Sequence, residues 1–265
     1  MFGQVVIGAP GSGKTTYCNG MSYILPQLGR PVICVNLDPA NDHLPYKCDI
    51  DIRELVTVND VCSRLKLGPN GALRYCMQTL KKNIEWLRLK LSHMEGYLLM
   101  DFPGQLELYS NDDCITSIIH SMEKWGYRLV AVHLSDSLYC SDIGKFISVL
   151  LSALSVMINL ECTQINVLSK QDLLRIDDLP YNFDFFEQLP DVQRLTDLLD
   201  ESPILRQYKG LNELLCSVIS DYDLVKFTGL DVTNKESMLN LLKLIDVANG
   251  YAFITAPDLR NIVQK

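Results

Sequence analysis

The sequence predicts an α/β fold in which a mostly parallel sheet is flanked by helices. Apolar runs of strand length recur along the chain, and helical patterns separate them. These runs are apolar on both faces, as is typical of parallel strands buried between two layers of helices. The chain has 265 residues, which is enough for one large domain of this kind.

Each element is predicted from its local pattern. Gln4–Ile7 is a short apolar run, and Lys14–Leu25 is a helical pattern that Pro26 ends. Apolar residues in Ala72–His93 are spaced three or four apart, which predicts a helix with one buried face. The other predicted strands are Pro31–Leu37, Tyr97–Met100, Arg128–Leu134, Gln164–Leu168 and Leu224–Leu230, and the other predicted helices are Val58–Leu65, Cys114–Lys124, Asp142–Asn159 and Ser237–Val247.

We expect one domain over residues 1–265, interrupted by a helical insertion at about 175–220, where the chain is acidic and contains prolines. Lysine and arginine number 24 and aspartate and glutamate 32, so the net charge is −8. Such a charge argues against a protein that coats nucleic acid through its general field. A polyanionic ligand held in one local site remains compatible with it.

Cysteine usage and hydropathy predict a soluble protein of the cytosol or the nucleus, without a membrane partner. The nine cysteines are scattered and form no C-x-x-C pair, which suits a reducing compartment. The first residues lack the basic segment of a secretory signal. The longest apolar stretch, Ile147–Leu160, has about 14 residues, which we interpret as a buried helix too short to span a bilayer.

Gly8–Thr15 matches G-x-x-x-x-G-K-[ST] and lies between a predicted strand and a predicted helix. The backbone N–H groups of Gly11, Ser12, Gly13 and Lys14 can surround a phosphate there, and the helix adds its positive end. Lys14 would reach the β- and γ-phosphates, and the Thr15 hydroxyl would coordinate Mg²⁺. With Thr16, these residues predict a P-loop NTPase fold that binds a nucleoside triphosphate; the alternative is a glycine-rich turn that matches by chance.

Two acids at predicted strand ends are candidates for the phosphate chemistry, because ligands bind at the carboxyl ends of parallel strands. Asp38 could orient a water molecule or hold the magnesium shell, and its alternative role is to cap the turn before Pro39. Asp101–Glu107 is similar to the third motif of GTPases: an acid, then Gly104 whose N–H can meet a γ-phosphate, then Gln105 able to orient the attacking water. The alternative interpretation of this segment is the start of a helix, with Asp101 as its capping residue. A third such acid, Asp136, is interpreted as a structural cap.

Ser169–Asp172 follows another predicted strand and resembles the base-reading N-K-x-D motif, with serine in place of asparagine. The Asp172 carboxylate can accept from both N1–H and the amino group of guanine, whereas adenine offers an acceptor at N1. The alkyl part of Lys170 would lie across the base plane. Thr228 could add a backbone contact to the base, and an ordinary strand-to-helix cap is the alternative for the whole motif.

Gly68-Pro69-Asn70 would by composition be a turn between helices. Together with the motifs above it strongly resembles the GPN-loop GTPases over essentially the whole chain, and Asn249-Gly250-Tyr251 is similar to one branch of that family. The resemblance implies a SIMIBI-class-like P-loop NTPase fold, with a GPN-loop insertion at about 58–95. It also implies GTP/GDP and Mg²⁺ as ligands.

The resemblance also implies a mechanism and partners. Family members form dimers, as homodimers or heterodimers with a paralogue, in which the loop Gly68–Asn70 of one subunit reaches the γ-phosphate region of the other. Asp38 and Gln105 would position the water, Glu107 would support them, and Asp101 would join the metal shell. The implied partners are RNA polymerase subunits or assembly factors, with a role in polymerase assembly and nuclear import, so a cytoplasmic protein that shuttles to the nucleus is expected.

Two other functions remain open from the residues alone. Gly8–Gly13 also resembles adenylate kinases, so a nucleotide or nucleoside kinase is one alternative; such enzymes need several arginines around the second substrate, and no arginine-rich segment stands out. The other alternative is a binding module in which the nucleotide holds a dimer together with little hydrolysis.

Overall fold

The computed structural model describes residues 1–110, 112–175, 177, 179–189, 192–201, 206–222 and 225–254. The strands are β1 (Phe2–Gly8), β2 (Val32–Asn36), β3 (Ile50–Asp51), β4 (Tyr97–Asp101), β5 (Arg128–Asp136), β6 (Gln164–Ser169) and β7 (Phe227–Gly229). The helices are α1 (Lys14–Gln27), α2 (Val58–Leu65), α3 (Pro69–Lys82), α4 (Ile84–Ser92), α5 (Glu107–Ser110), α6 (Cys114–Lys124), α7 (Ile143–Leu160), α8 (Phe183–Gln188), α9 (Gln193–Glu201), α10 (Lys209–Tyr222) and α11 (Lys235–Asn249).

The strands form one sheet of seven in the order β3-β2-β4-β1-β5-β6-β7, and every neighbouring pair is parallel. All five residues of β4 are buried, because helices cover both faces of the sheet. This confirms the predicted fold class. The register places Val6 opposite Asp101 and Gly8 opposite Leu134, so the end of β1 lies between the ends of β4 and β5.

Separate apolar cores cover the two faces of the sheet. On one face, β1 and β4 pack against α3, α4, α6 and the end of α7. On the other face, α1 and α11 pack against the same strands. A further core joins α7 and the end of β6 to α8, α9 and α10, so the helical insertion is anchored on the α7 side of the sheet.

The structure corrects some of the predicted helix and strand boundaries. The segment predicted as one helix at Ala72–His93 is two helices, since α3 ends at Lys82 and Asn83 leaves the helical conformation with φ −110°. Helix α3 begins at Pro69, so Pro69 and Asn70 lie in its first turn rather than in a free turn. Helix α1 continues through Pro26 to Gln27. The last strand is shorter than predicted, and residue 224 at its predicted start lies outside the described residues.

Helix α7 has 18 residues and is, among the described residues, the one helix long and apolar enough to cross a membrane. The prediction that this stretch is too short to span was wrong, because the helix begins at Ile143, directly after the capping side chain of Asp142. Half of the helix is buried inside the protein, as is typical of a core helix. The predicted buried helix is therefore confirmed.

The end of the described chain is tied to its beginning by side chains. Arg30, which follows α1, donates two hydrogen bonds to Asp246 of α11, at 2.8 and 2.7 Å. Asn249 Nδ2 donates to the Tyr97 hydroxyl at 3.1 Å, and so does Gln4 Nε2 at 3.1 Å. The segment Asn249–Tyr251, which the sequence marks as a family feature, thus closes α11 onto the central strands.

Candidate nucleotide site

The loop between β1 and α1 has the backbone of a phosphate-binding loop. Gly8 has φ +140°, and a Cβ there would lie 2.2 Å from the Leu134 carbonyl oxygen on β5, so a side chain does not fit. Gly13 has φ +92°, a left-handed conformation that glycine adopts without strain, directly before the first helical residue. The predicted phosphate-binding residues Gly11, Ser12 and Gly13 therefore lie at the N-terminus of a 14-residue helix.

Lys14 is buried at this loop. Its Nζ donates to the Ala9 carbonyl oxygen at 3.1 Å, which keeps the amine inside the loop. Burial lowers the pKa of Lys14, while the nearby carboxylates of Asp101 and Asp38 raise it. Within the loop itself, the Lys14 amine contacts only a neutral carbonyl oxygen. A bound triphosphate would bring negative charge to it there. Thr16, predicted to bind the nucleotide, is exposed on the first turn of α1.

Asp101 is the centre of a hydrogen-bond cluster at the end of β4. Its Oδ2 accepts from Thr15 Oγ1 at 2.8 Å and from the Tyr46 hydroxyl at 3.2 Å. Asn41 Nδ2 donates to Thr15 Oγ1 at 3.0 Å. Burial raises the pKa of Asp101 to about 6, against the opposing effects of Thr15 and Lys14. The structure thus brings together the two residues predicted to hold the metal.

The donor set fits magnesium. Asp101 is 1% exposed, and its Oδ1 has no hydrogen-bond partner among the described residues. An unpartnered buried carboxylate oxygen beside a threonine hydroxyl is a costly arrangement without a cation and a suitable one with it. Both groups are oxygen ligands, the type that Mg²⁺ prefers.

The predicted water-positioning residues lie around the same loop. Asp38 follows β2, its Oδ1 accepts from the Ala40 N–H at 2.9 Å, and burial raises its pKa. Asp38 therefore does cap the turn at Pro39, and this uses one of its two carboxylate oxygens. Gln105 has a buried Oε1 without a partner in the described part of the chain, whereas Glu107 is exposed at the start of α5.

Gly104 is packed against the phosphate loop. A Cβ on Gly104 would lie 2.7 Å from Lys14 Nζ and 2.9 Å from the Pro10 nitrogen. The predicted γ-phosphate contact, Gly104, therefore lies next to the lysine predicted to reach that same phosphate. A side chain at this position would fill the space between the two segments.

The base-reading motif is built at the end of β6. The Ser169 hydroxyl donates to the Ser12 carbonyl oxygen at 2.7 Å and lies 3.0 Å from that of Ser135. Serine at this position thus fixes the phosphate loop instead of reaching out toward a base. Lys170 has φ +61°, and its Nζ pairs with Asp136 Oδ2 at 2.6 Å. Asp172 is exposed in the 3₁₀ turn Gln171–Leu173, so its carboxylate is accessible to a ligand.

Thr228 lies half-buried in β7, beside the base-reading motif. The two segments are linked by backbone hydrogen bonds, since Gln171 N–H donates to the Leu230 carbonyl oxygen at 3.1 Å and Leu230 N–H to that of Leu168 at 2.8 Å. The end of β7 therefore holds the turn that carries Asp172.

The Gly68–Asn70 loop lies apart from these groups in the single chain. All three of its residues are exposed, and a Cβ on Gly68 would meet nothing within 4 Å. Among the described residues, none of the three makes a side-chain hydrogen bond to the phosphate loop. Helix α3, which starts in this loop, is held to the beginning of α6 by Arg74–Asp112 and Lys81–Asp113, each at 2.7 Å.

A cavity of about 290 Å³ lies against the phosphate loop on the α7 side. It is mostly apolar and is lined by Gly8, Pro10 and Gly104 together with β5, α5 and α7. His133 faces this cavity, is 4% exposed, and has no partner for Nδ1 among the described residues. Burial lowers the pKa of His133 to about 4, so the imidazole is neutral near pH 7.

Two site residues were missed or misread in the sequence. Asp136 was interpreted as a cap, and it does accept from Leu138 N–H at 3.0 Å, but it also pairs with Lys170. Tyr46 lies in an irregular stretch that carries no motif, and only the fold brings it to Asp101. The position of Asp136 at a strand end was the available signal, because β5 and β6 are neighbours whose ends share one edge.

Comparisons with known proteins agree with this geometry. A protein-family profile described as "Conserved hypothetical ATP binding protein" matches residues 6–251. GPN-loop GTPase 2 of Danio rerio is 52% identical over 254 residues, which cover 95% of this chain and 82% of that protein. The chain belongs to the GPN-loop GTPase family. GPN-loop GTPase QQT1 of Arabidopsis thaliana is 50% identical over 96% of this chain and 86% of its own length.

A solved structure of a GTPase has the same fold. The crystal structure of an apo GTPase from Pyrococcus abyssi superposes with a TM-score of 0.74 at 26% identity, covering 94% of this chain and 97% of that one. The profile description names ATP, whereas the relatives and the solved structure are named GTPases. The accessible carboxylate of Asp172 at the base-reading motif agrees with the latter.

Proposed function

We propose that this chain is a magnesium-dependent GTPase that hydrolyses GTP in a dimer and uses the cycle as a switch. As a member of the GPN-loop GTPase family, it binds and hydrolyses GTP. The observation that carries the proposal is the 2.8 Å hydrogen bond between Thr15 of the phosphate loop and Asp101 at the end of β4, because it joins the predicted triphosphate site to the predicted metal site.

The phosphate end of the site would be held by the loop Gly8–Thr15. Its backbone N–H groups and the N-terminus of α1 would bind the β- and γ-phosphates, and Lys14 would move its amine from the Ala9 carbonyl to them. Thr15 and Asp101 would hold Mg²⁺, which when bound neutralises the charge that develops on the phosphates. Gly104, which lies next to Lys14, would donate its N–H to the γ-phosphate.

The attacking water would be oriented by Gln105 and Asp38. Gln105 Oε1 is buried without a partner in the described residues, so a water O–H can donate to it. Asp38 keeps one carboxylate oxygen free of the Ala40 contact, and burial raises its pKa, which makes it a better proton acceptor. Glu107, which is exposed on α5, would support Gln105 and Asp38 without itself contacting the water.

The base end would select guanine. Asp172 would accept from N1–H and the 2-amino group, Lys170 would cover the ring with its alkyl part, and Asp136 would fix its amine at 2.6 Å. Thr228 would add a backbone contact. Ser169, through Ser12, keeps the phosphate loop and the base-reading turn at a fixed distance.

A single-turnover assay tests the chemistry. We expect GTP hydrolysis with Mg²⁺ by the wild-type chain, much weaker binding of ATP, and about a hundredfold slower hydrolysis in Gln105→Ala and in Asp38→Ala with GTP affinity preserved. Gln27→Ala, an exposed glutamine at the end of α1, is the control. An unchanged rate in both variants, or transfer of the phosphate to a nucleoside instead of water, would contradict the proposal.

The exposed loop Gly68–Asn70 supports the dimer, because all three of its residues are accessible in one chain and could complete the γ-phosphate region of a second. We propose a homodimer or a heterodimer with a paralogue. Light scattering with a non-hydrolysable GTP analogue is expected to give the mass of a dimer. A monomer at micromolar concentration, alone and with a paralogue, would exclude the loop from catalysis.

For the wider role, we propose assembly and nuclear import of RNA polymerase, with polymerase subunits or assembly factors as partners. The support is the resemblance to the family together with the net charge of −8, which disfavours direct nucleic-acid binding. We place the protein in the cytoplasm with shuttling to the nucleus, and without a membrane partner. Proximity labelling with Gln105→Ala as bait tests this; enrichment without polymerase subunits or their assembly factors would contradict it.

A further inference from the structure

The first helix of the insertion, α8, contacts the nucleotide site at one point. Glu187 Oε1 accepts from the Gly229 N–H of β7 at 2.6 Å. A Cβ on Gly229 would lie 2.6 Å from Phe183 Cε1 and 2.9 Å from Gln171 Oε1. Gly229 is therefore enclosed between α8 and the base-reading turn.

Glu187 satisfies an N–H group at the edge of the sheet. β7 is an edge strand, and Leu230 N–H donates to its neighbour β6 at Leu168. Because alternate N–H groups of a strand point to opposite sides, the Gly229 N–H points away from β6. A carboxylate acceptor makes this hydrogen bond stronger than a neutral acceptor would.

From Gly229 the contacts continue to the residue that reads the base. Leu230 follows Gly229, and its carbonyl oxygen accepts from Gln171 N–H at 3.1 Å. Gln171 directly precedes Asp172 in the 3₁₀ turn. Glu187 thus fixes the backbone two hydrogen bonds away from the exposed carboxylate of Asp172.

We propose that Glu187 is a positioning residue for guanine recognition, acting through the backbone of Gly229 and Leu230 on the turn that carries Asp172. This rests on the proposed function, in which Asp172 accepts from N1–H and the 2-amino group. The consequence is that base selection depends on a helix of the insertion, outside the phosphate-binding machinery. A movement of α8 changes the guanine affinity, and guanine binding holds α8.

The test compares GTP with ITP, which keeps N1–H and lacks the 2-amino group. Affinities are measured for the wild type, Glu187→Ala, Glu187→Gln and the control Asp184→Ala, an exposed acid on the same helix. We expect Glu187→Ala to lower the preference for GTP over ITP about tenfold, the effect of one hydrogen bond to a charged acceptor. Glu187→Gln keeps an Oε1 acceptor and should restore most of the preference, and Asp184→Ala should leave it unchanged.

The ratio of GTP affinity to ITP affinity distinguishes a positioning role of Glu187 from a loss of folded protein. A loss of folded protein lowers the binding of GTP and ITP by the same factor, and melting temperatures identify it. A wild-type preference for GTP that Glu187→Ala retains would overturn this inference and leave the proposed function intact. A wild type that binds GTP, ITP and ATP equally would overturn the proposed function first, and this inference with it.

Discussion

Ser169 occupies the position where the N-K-x-D motif usually has asparagine, and its short side chain is used inward. The hydroxyl donates to the Ser12 carbonyl oxygen at 2.7 Å and lies 3.0 Å from that of Ser135, so three segments meet at one buried oxygen. A longer side chain could in addition reach the base. We therefore expect guanine selection in this chain to depend more heavily on Asp172 and on the backbone that positions it.

Replacing Ser169 by alanine tests this role. We expect Ser169→Ala to lose about 1–3 kcal/mol of unfolding free energy, because the Ser12 carbonyl loses its donor in a buried place. GDP affinity should fall about tenfold, since the phosphate loop is no longer tied to β6. Denaturant unfolding and titration with a fluorescent GDP analogue measure the two effects.

Ser137 provides the matched control. It is fully buried, and its Oγ has no hydrogen-bond partner among the described residues. Ser137→Ala should therefore leave GDP affinity unchanged and be neutral or slightly stabilising. Equal losses in the Ser169 and Ser137 variants would show that the hydroxyl contacts of Ser169 carry no free energy.

His133 makes the stability depend on pH. Burial holds its pKa at about 4 in the folded chain, below the ordinary 6.5. Between these values the unfolded chain binds the proton and the folded chain does not, so the unfolding free energy falls as the pH falls from 6.5 to 4. The loss approaches about 3 kcal/mol at the low end.

Denaturant titrations at pH 7, 5.5 and 4.5 measure this loss. The pH dependence should flatten in His133→Asn, which cannot take up a proton. His93→Asn, at an exposed histidine, should keep the wild-type dependence. The same slope in all three proteins would mean that His133 is charged in the folded state.

At the scale of elements, α3 links the Gly68–Asn70 loop to the segment after the residues proposed to contact the γ-phosphate. Arg74–Asp112 and Lys81–Asp113 join this helix to the start of α6, and α6 follows Asp101–Glu107 by a few residues. A shift of that segment with the nucleotide state would therefore move α3 and its loop. The adjacent carboxylates of Asp112 and Asp113 thus each have a cationic partner on α3.

Removal of the Arg74–Asp112 contact, whose carboxylate is buried, tests the coupling. We expect Arg74→Ala to slow single-turnover GTP hydrolysis about fivefold, because a small misplacement of a catalytic loop is costly, while GDP affinity changes less than about twofold. The charge swap Arg74→Asp with Asp112→Arg should restore the rate. Arg88→Ala, at an exposed arginine of α4, serves as control; a slower rate there as well would indicate a general loss of positive charge.

The sequence predicted the elements whose signals are local and missed those that depend on the fold. Gly8–Thr15 and Asp101 were found because the strand, the motif and the helix follow one another in the chain. The break at Asn83 was missed because the apolar spacing continues across it, from Leu80 to Ile84. The partners of Lys170 and Asp101 depend on which strands become neighbours, which one sequence does not state.

At the scale of the whole molecule, the contact of α11 with α1 and the central strands closes the domain. Arg30 and Asp246 are 17% and 10% exposed in their side chains, and the Arg30 guanidinium lies 4.0 Å from the centre of the Tyr251 ring. Arg30 follows the first helix, and Asp246 lies in the last helix of the described chain. Their ion pair therefore joins two segments that are far apart in the sequence. The ion pair is therefore a point at which loss of one group affects the entire fold.

Asp246→Ala is expected to lower the unfolding free energy by about 2 kcal/mol, since Arg30 stays largely buried without its carboxylate. Asp246→Asn should lose less, because one hydrogen bond to Arg30 persists. Glu95→Gln, at an exposed carboxylate, is the control and should stay within about 0.5 kcal/mol of the wild type. Thermal unfolding that is equal for all four proteins would mean that α11 is held by its apolar face alone.

The sheet ends in β3, with two residues, and β7, with three residues. Such short borders offer little template for strand addition, and on β7 the outward N–H of Gly229 already has an acceptor. Copies of this chain that meet in the cell are thereby kept from joining edge to edge into a continuous sheet. We therefore expect any assembly that it forms to use its helices and loops.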